Sequence, residues 1–178
     1  EAKDLKNIFL LLFPELMYLD RLKKKNKYNE LPFLKVDMIL AILLIDKSNN
    51  YEYFCHKYKV SNSTKLKLET LRKLLESFNS DNNFFKKNLD KNIYYFGKEK
   101  LKNLNTLILF LNSKTNYLEH LNNLNNIIKT SPPKFPYDGE YLIKKGLNEG
   151  KAIGHTLKSI EKIWIDNNFQ LTEEKVQQ

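Results

Sequence analysis

The chain has 178 residues, 42% hydrophobic and 29% charged, an ordinary balance for one compact domain, or a body with a small appendage, burying roughly 70% of its unfolded surface. A net charge of +9 and a pI of 9.4 favour an anionic partner over a cationic one, although abundant Lys and Asn also follow from AT-rich coding. The single cysteine, Cys55, excludes an internal disulfide framework, and the longest apolar run, 36–45, contains Asp37 and is too short to span a bilayer.

The expected setting is therefore cytoplasmic, without a membrane partner. The chain starts at Glu1 without methionine, as a processed or truncated piece would, so an amino-terminal organellar address stays open.

Apolar periodicity predicts helix after helix. Leu5, Ile8, Phe9 and Leu12 mark an amphipathic helix over 3–13, and Pro14 fits the first turn of a second that continues through Leu16, Leu19 and Leu22. This second helix runs into a basic cluster of Arg21, Lys23, Lys24, Lys25 and Lys27. Such a cluster is either a solvated helix end favoured by the macrodipole or a hold on an RNA backbone, with Arg21 and Lys24 as contacts. Residues 31–45 read as a buried helix and 49–58 as a short aromatic one. Ser61 to Ser63 offer N-cap oxygens to a long helix with Leu68, Leu71, Leu75 and Phe78 inside and Lys65, Lys67, Arg72 and Lys73 outside.

A polar loop at 77–83 precedes a helix over 84–96, which Gly97 stops. Leu101, Leu104, Ile108 and Leu111 mark the next helix, and Leu118, Leu121, Leu124 and Ile128 the one after it. Thr130-Ser131-Pro132-Pro133 then breaks the pattern and is the best linker in the chain. The expected domains are a helical body, 1–130, and a tail, 131–178. No strand alternation or repeat period is present, so the expected fold is all-α, an irregular multi-helix bundle ending in a glycine-containing helical hairpin.

That hairpin lies in 135–169, which holds four of the five glycines and the only tryptophan. Asp138 suits an N-cap and Gly146 the C′ position that ends a short helix. Leu147-Asn148-Glu149 leads to Gly150, and 152–168 is helical in pattern, with Ile153, Leu157, Ile160 and Trp164 as its buried stripe. Gly154 sits one turn in, where a missing Cβ would let another backbone approach. Free N–H groups at a helix start preceded by glycine favour an anion such as phosphate, and Lys144, Lys145, Lys151, His155 and Lys158 surround that point. The same glycines also make sense as pure hairpin architecture, with no ligand.

The order F-P-x-x-G-x-x-L-(x)3-G-(x)3-G-(x)3-G-x-x-L-(x)6-W-I-(x)3-F resembles the carboxy-terminal signature of bacterial class II tRNA nucleotidyltransferases, the CCA-adding enzymes and the related poly(A) polymerases. Phe135-Pro136, Gly139, Leu142, Gly146, Gly150, Gly154, Leu157, Trp164-Ile165 and Phe169 carry it. The family often places proline after the third of these glycines, where this chain has Lys151. Weaker echoes are Leu12-Phe13-Pro14-Glu15-Leu16 with Arg21-Leu22, Val60-Ser61-Asn62, and Tyr94-Tyr95-Phe96-Gly97. The resemblance implies a body and tail that grip the acceptor and T arms of tRNA, while a head domain in cis or trans adds nucleotides. It would place the RNA contacts at Lys144, Lys145, Gly146, Gly150, Lys151, Gly154, His155 and Lys158, with Arg21 and Lys24 on a second surface.

The family's chemistry needs an Asp-x-Asp pair that converges on Mg2+ and holds CTP or ATP. This chain has no Asp-x-Asp, so the metal and the nucleotide belong to the head, and the chain alone is expected to be inert, with no cofactor of its own. Cys55 reads as a buried packing residue rather than a nucleophile, and His56, His120 and His155 lack metal-ligand spacing. Tyr137 and Tyr141 are the aromatics left open for stacking on unpaired bases. Two other readings stand beside RNA binding: a structural module that pairs with a separate catalytic head, and a helix-hairpin-helix binder of duplex DNA.

Overall fold

The computed structural model describes residues 2–24, 34–112, 116–148 and 150–171. Nine α-helices and no strand occur among them, so the fold is all-α. The chain divides into two compact units, 1–130 and 131–178.

The first unit contains α1 (Ala2–Leu12), two 3-10 turns (Pro14–Leu16 and Leu19–Leu22), α2 (Val36–Leu44), α3 (Asn50–Lys57), α4 (Asn62–Ser80), α5 (Leu89–Phe96), α6 (Lys98–Leu111) and α7 (Tyr117–Lys129). Its axis is α6, which packs against α2, α4, α5, α7 and the second 3-10 turn. The sequence of α6 explains that position. Leu101, Leu104, Leu107, Ile108, Leu109 and Phe110 leave almost no polar side over its second half, and all six are buried. Local chemistry starts and stops the elements around it. Ser61 accepts from the Thr64 N–H to cap α4, Asn116 accepts from the Glu119 N–H at 2.7 Å to cap α7, and Gly97 at φ +80° separates α5 from α6.

Several expected elements differ. Residues 14–22 form two tight turns instead of one helix, and from them Glu15 and Arg21 turn inward. The Glu15 carboxylate is buried and accepts from Lys57 Nζ at 2.7 Å and from the Tyr58 hydroxyl at 3.2 Å, and the Lys57 hydrogen bond holds it below the usual carboxylate range. The helix expected over 84–96 begins only at Leu89. Asp81 accepts from the Asn83 N–H and from Asn88 Nδ2, which holds 81–88 as a turn with Phe84 and Phe85 buried. The preceding helix runs on to Ser80, past the expected loop start.

In α7 the buried residues are His120 and Ile127, while Leu118 and Ile128 face outward. Asn105 Nδ2 donates to the His120 carbonyl at 2.9 Å, and Asn123 Nδ2 donates to Asn105 Oδ1. This buried polar contact sets the rotation of α7, and a leucine count does not anticipate it.

The second unit is a hairpin of α8 (Gly139–Lys144) and α9 (Lys151–Asp166), preceded by an extended segment from Ser131. Leu142, Ile160, Trp164 and Ile165 are its buried residues. Both helices end alike. Gly146 N–H donates to the Ile143 carbonyl and Leu147 N–H to the Leu142 carbonyl; Asn168 N–H donates to the Ile165 carbonyl and Phe169 N–H to the Trp164 carbonyl. These are Schellman caps, with Gly146 at φ +98° and Asn168 at φ +55° as the left-handed residues. The cap gives the W-I-(x)3-F spacing a physical meaning. Trp164 and Phe169 occupy the two positions whose side chains meet across such a cap, and their rings lie 4.9 Å apart. Phe135 packs on the same indole at 5.4 Å.

Candidate nucleic-acid interface

The candidate surface follows from how α9 is built. Its inward stripe, Ile153, Leu157, Ile160 and Trp164, recurs at steps of four, three and four, and Trp164 and Ile160 are buried. Lys151, His155, Lys158 and Lys162 repeat the same steps two residues out of phase, about 200° around the helix, and all four are exposed. The basic stripe therefore lies on the face opposite the core, over roughly 16 Å of helix. The next residue on that line, Asp166, closes it. Lys151, Lys158 and Lys162 make no ion pair with any described residue. Lys162 is absent from the sequence-predicted contacts, although its four-residue step from Lys158 is legible in the sequence.

The start of α9 adds donors to this stripe. Gly150, at φ +140°, is its N-cap and supplies no side-chain acceptor, whereas Asp138 caps α8 by accepting from the Tyr141 N–H at 2.9 Å. The first turn of α9 thus lacks the side-chain cap that three other helices receive from Ser61, Asn116 and Asp138, although its Ile153 N–H donates to the Gly150 carbonyl at 3.2 Å. Lys144 ends α8 and Lys145 is its C-cap, so both flank Gly146 on the turn that leads to Gly150. Lys145 Nζ is 5.9 Å from the Tyr141 ring centroid. Tyr141 is itself 4.7 Å from Tyr137, and both residues are half-buried.

Three expectations change. Nothing lies within 4 Å of the place a Cβ on Gly154 would take, so no backbone crosses there. The contact between α8 and α9 falls instead at Gly139, where an added Cβ would meet Ile153 Cγ2 at 3.5 Å, an ordinary van der Waals distance. Arg21 and Lys24 do not offer their charges to solvent as a contact pair. Arg21 Nη1 donates to the carbonyls of Ile42 and Ile45 at 2.8 and 2.9 Å, closing the end of α2, and Lys24 Nζ donates to those of Leu109 and Asn112 at 2.7 Å each, closing α6. Helix C-termini present unsatisfied carbonyls, and the nearest long cations take them. Lys25 and Lys27 of the same cluster lie outside the described residues.

Of the remaining candidates, Cys55 and His120 are packing groups. Cys55 is buried, and burial raises its thiol pKa. His120 is buried and pushed down by burial, His56 and His155 are exposed, and the three stand on different helices. Among the described residues no three His, Cys, Asp or Glu side chains gather as a metal site would require, and no helix is long and apolar enough to cross a membrane. Compared with protein-family models, curated proteins and solved structures, the chain finds no match.

Proposed function

We propose that the chain is an RNA-binding module, the body and tail of a tRNA nucleotidyltransferase-like protein, whose hairpin holds the acceptor and T arms while a separate head performs nucleotide addition. The observation that carries this reading is the α9 stripe of unpaired lysines beside an uncapped helix start. Lysines on such a stripe neutralise phosphates and release counterions, and the first-turn N–H groups donate to one phosphate. The contact reads backbone shape more than sequence. The reading assigns Mg2+ and the nucleoside triphosphate to the head, which would supply the Asp-x-Asp pair that this chain's sequence lacks.

The test is binding of the chain to tRNA, to an acceptor/T-arm minihelix and to duplex DNA across a salt series. Minihelix binding should exceed DNA binding. Changing Lys151, Lys158 and Lys162 together to Ala should reduce the slope of log K against log salt by about 0.7–0.9 per lost contact. An unchanged slope sinks the α9 interface, and a preference for DNA favours the duplex-binding alternative.

One observation favours a second reading, docking on a separately encoded head. Leu5, Ile8, Leu11 and Leu12 of α1 are exposed by 55–82%, a larger apolar face than a lone helix usually leaves to water. Co-purification with a head-domain protein, together with negligible RNA affinity alone, would support it.

A further inference from the structure

A cavity of about 630 Å³ opens in the first unit between the loop after α2 and the flanks of α4 and α6. Arg21 and Arg72, the only arginines in the chain, both line it. Every other basic residue is lysine, so the planar guanidinium is used nowhere else. Lys47 is a third cation at the cavity and Asp46 its acid, the latter occupied by the Ser48 N–H and hydroxyl at 2.7 and 2.6 Å. Tyr18 and Phe78 contribute rings to a wall whose other members are four aliphatic side chains together with Ser48, Asn79 and Asn112.

Arg21 is held rigidly. Its Nη1 is fixed by the Ile42 and Ile45 carbonyls, and its Cζ lies 3.7 Å from the Tyr18 ring centroid. Nε and Nη2 have no acceptor among the described residues. Arg72, four-fifths buried, forms an ion pair between Nη1 and Glu76 Oε1 at 2.9 Å and likewise keeps its other donors. An anchored fork meets a phosphate in two parallel hydrogen bonds with little ordering cost. A divalent cation would be repelled by this set, and a neutral apolar ligand would leave the guanidinium donors desolvated and unpaired. An extended polyanion has no use for the apolar wall. The lining therefore asks for a compact ligand with an anionic group and a flat ring, and the volume is of small-molecule size.

We infer that this cavity binds a single nucleotide, its phosphate at Arg21 and Arg72 and its base against Tyr18 and Phe78, either as a free nucleoside monophosphate or as an unpaired nucleotide of an RNA. The inference rests on the first unit alone and stands whether or not the α9 stripe holds RNA.

Calorimetric titration of the whole chain with AMP, CMP, adenosine and inorganic phosphate tests it. AMP or CMP should bind, with adenosine and phosphate each weaker by about tenfold or more, since each loses one half of the contact. Arg72→Gln and Arg72→Lys should both weaken AMP by about tenfold or more with unchanged helicity, because lysine keeps the charge but not the fork. Lys47→Ala, in an exposed loop, should weaken it severalfold. A single-stranded oligoribonucleotide that displaces AMP makes an RNA nucleotide the ligand; failure to displace it makes the ligand a free nucleotide. Absence of binding at about 1 mM nucleotide, equal binding of phosphate and AMP, or wild-type affinity in Arg72→Gln would overturn the site. The Lys151, Lys158 and Lys162 variant should bind AMP normally, so failure here and failure of the hairpin interface are separable.

Discussion

The first unit carries the whole net charge of the chain, and the second, with seven basic and seven acidic residues, carries none; yet the second presents the cleaner cationic face. In the first unit about half of the described cations are engaged, and the others are scattered over several elements. Lys57 pairs with Glu15, Lys67 with Asp37, Arg72 with Glu76, Lys73 with Glu69 and Lys102 with Glu99, while Arg21, Lys24 and Lys98 donate to helix-end carbonyls. In the second unit, Lys151, Lys158 and Lys162 stand on one line without ion pairs to described residues. Net charge is a property of composition, whereas a binding face depends on which charges the fold leaves unpaired. By that measure the tail offers one continuous cationic line, whereas Arg21 and Lys24 of the basic cluster are tied to helix-end carbonyls.

The contrast can be broken most forcefully at Trp164, which is buried between Phe135 and Phe169. Trp164→Ala should cost about 3–5 kcal/mol, enough to unfold a unit this small. Hydrogen exchange should then show α9 unprotected and α6 still protected. Loss of protection in both would mean that the two units fold as one.

Two glycines of the same hairpin should respond with opposite signs. Gly146 sits at φ +98° in the Schellman cap, so Gly146→Ala should destabilise the tail by about 1–2 kcal/mol. Gly154 lies inside α9 with open space around it, and Gly154→Ala should stabilise it by about 0.5–1 kcal/mol. Thermal melts of the two variants decide this; a destabilised Gly154→Ala would restore the close crossing that the geometry denies. The gentlest test is pH. Burial holds His120 below its ordinary value, so the unfolded chain takes up the proton first. First-unit stability should be complete above about pH 6.5, fall as pH drops through that value and level off below the folded pKa. His120→Gln should remove this slope.

Much of the hairpin is legible in the sequence because its determinants are local. Asp138, Gly146 and the Ile153–Trp164 stripe act within one or two helical turns, and each does what its spacing demands. The cationic line on α9 is readable for the same reason, Lys162 included. The first unit is readable as helices but not in its details. Glu15 needs Lys57, Arg21 needs the end of α2, and Asn105 needs His120, partners between 15 and 42 positions away.

By itself the sequence determined the all-α class, most helix positions and the glycine-capped hairpin, since periodicity, caps and left-handed residues are decided by neighbours along the chain. Tertiary structure alone decided which face of α7 is buried, that Arg21 and Lys24 serve carbonyls, that Gly139 rather than Gly154 lies against a neighbouring side chain, and that both arginines share one cavity. Each of these depends on a desolvated polar group or a contact whose partner only packing brings near, and no local pattern encodes it.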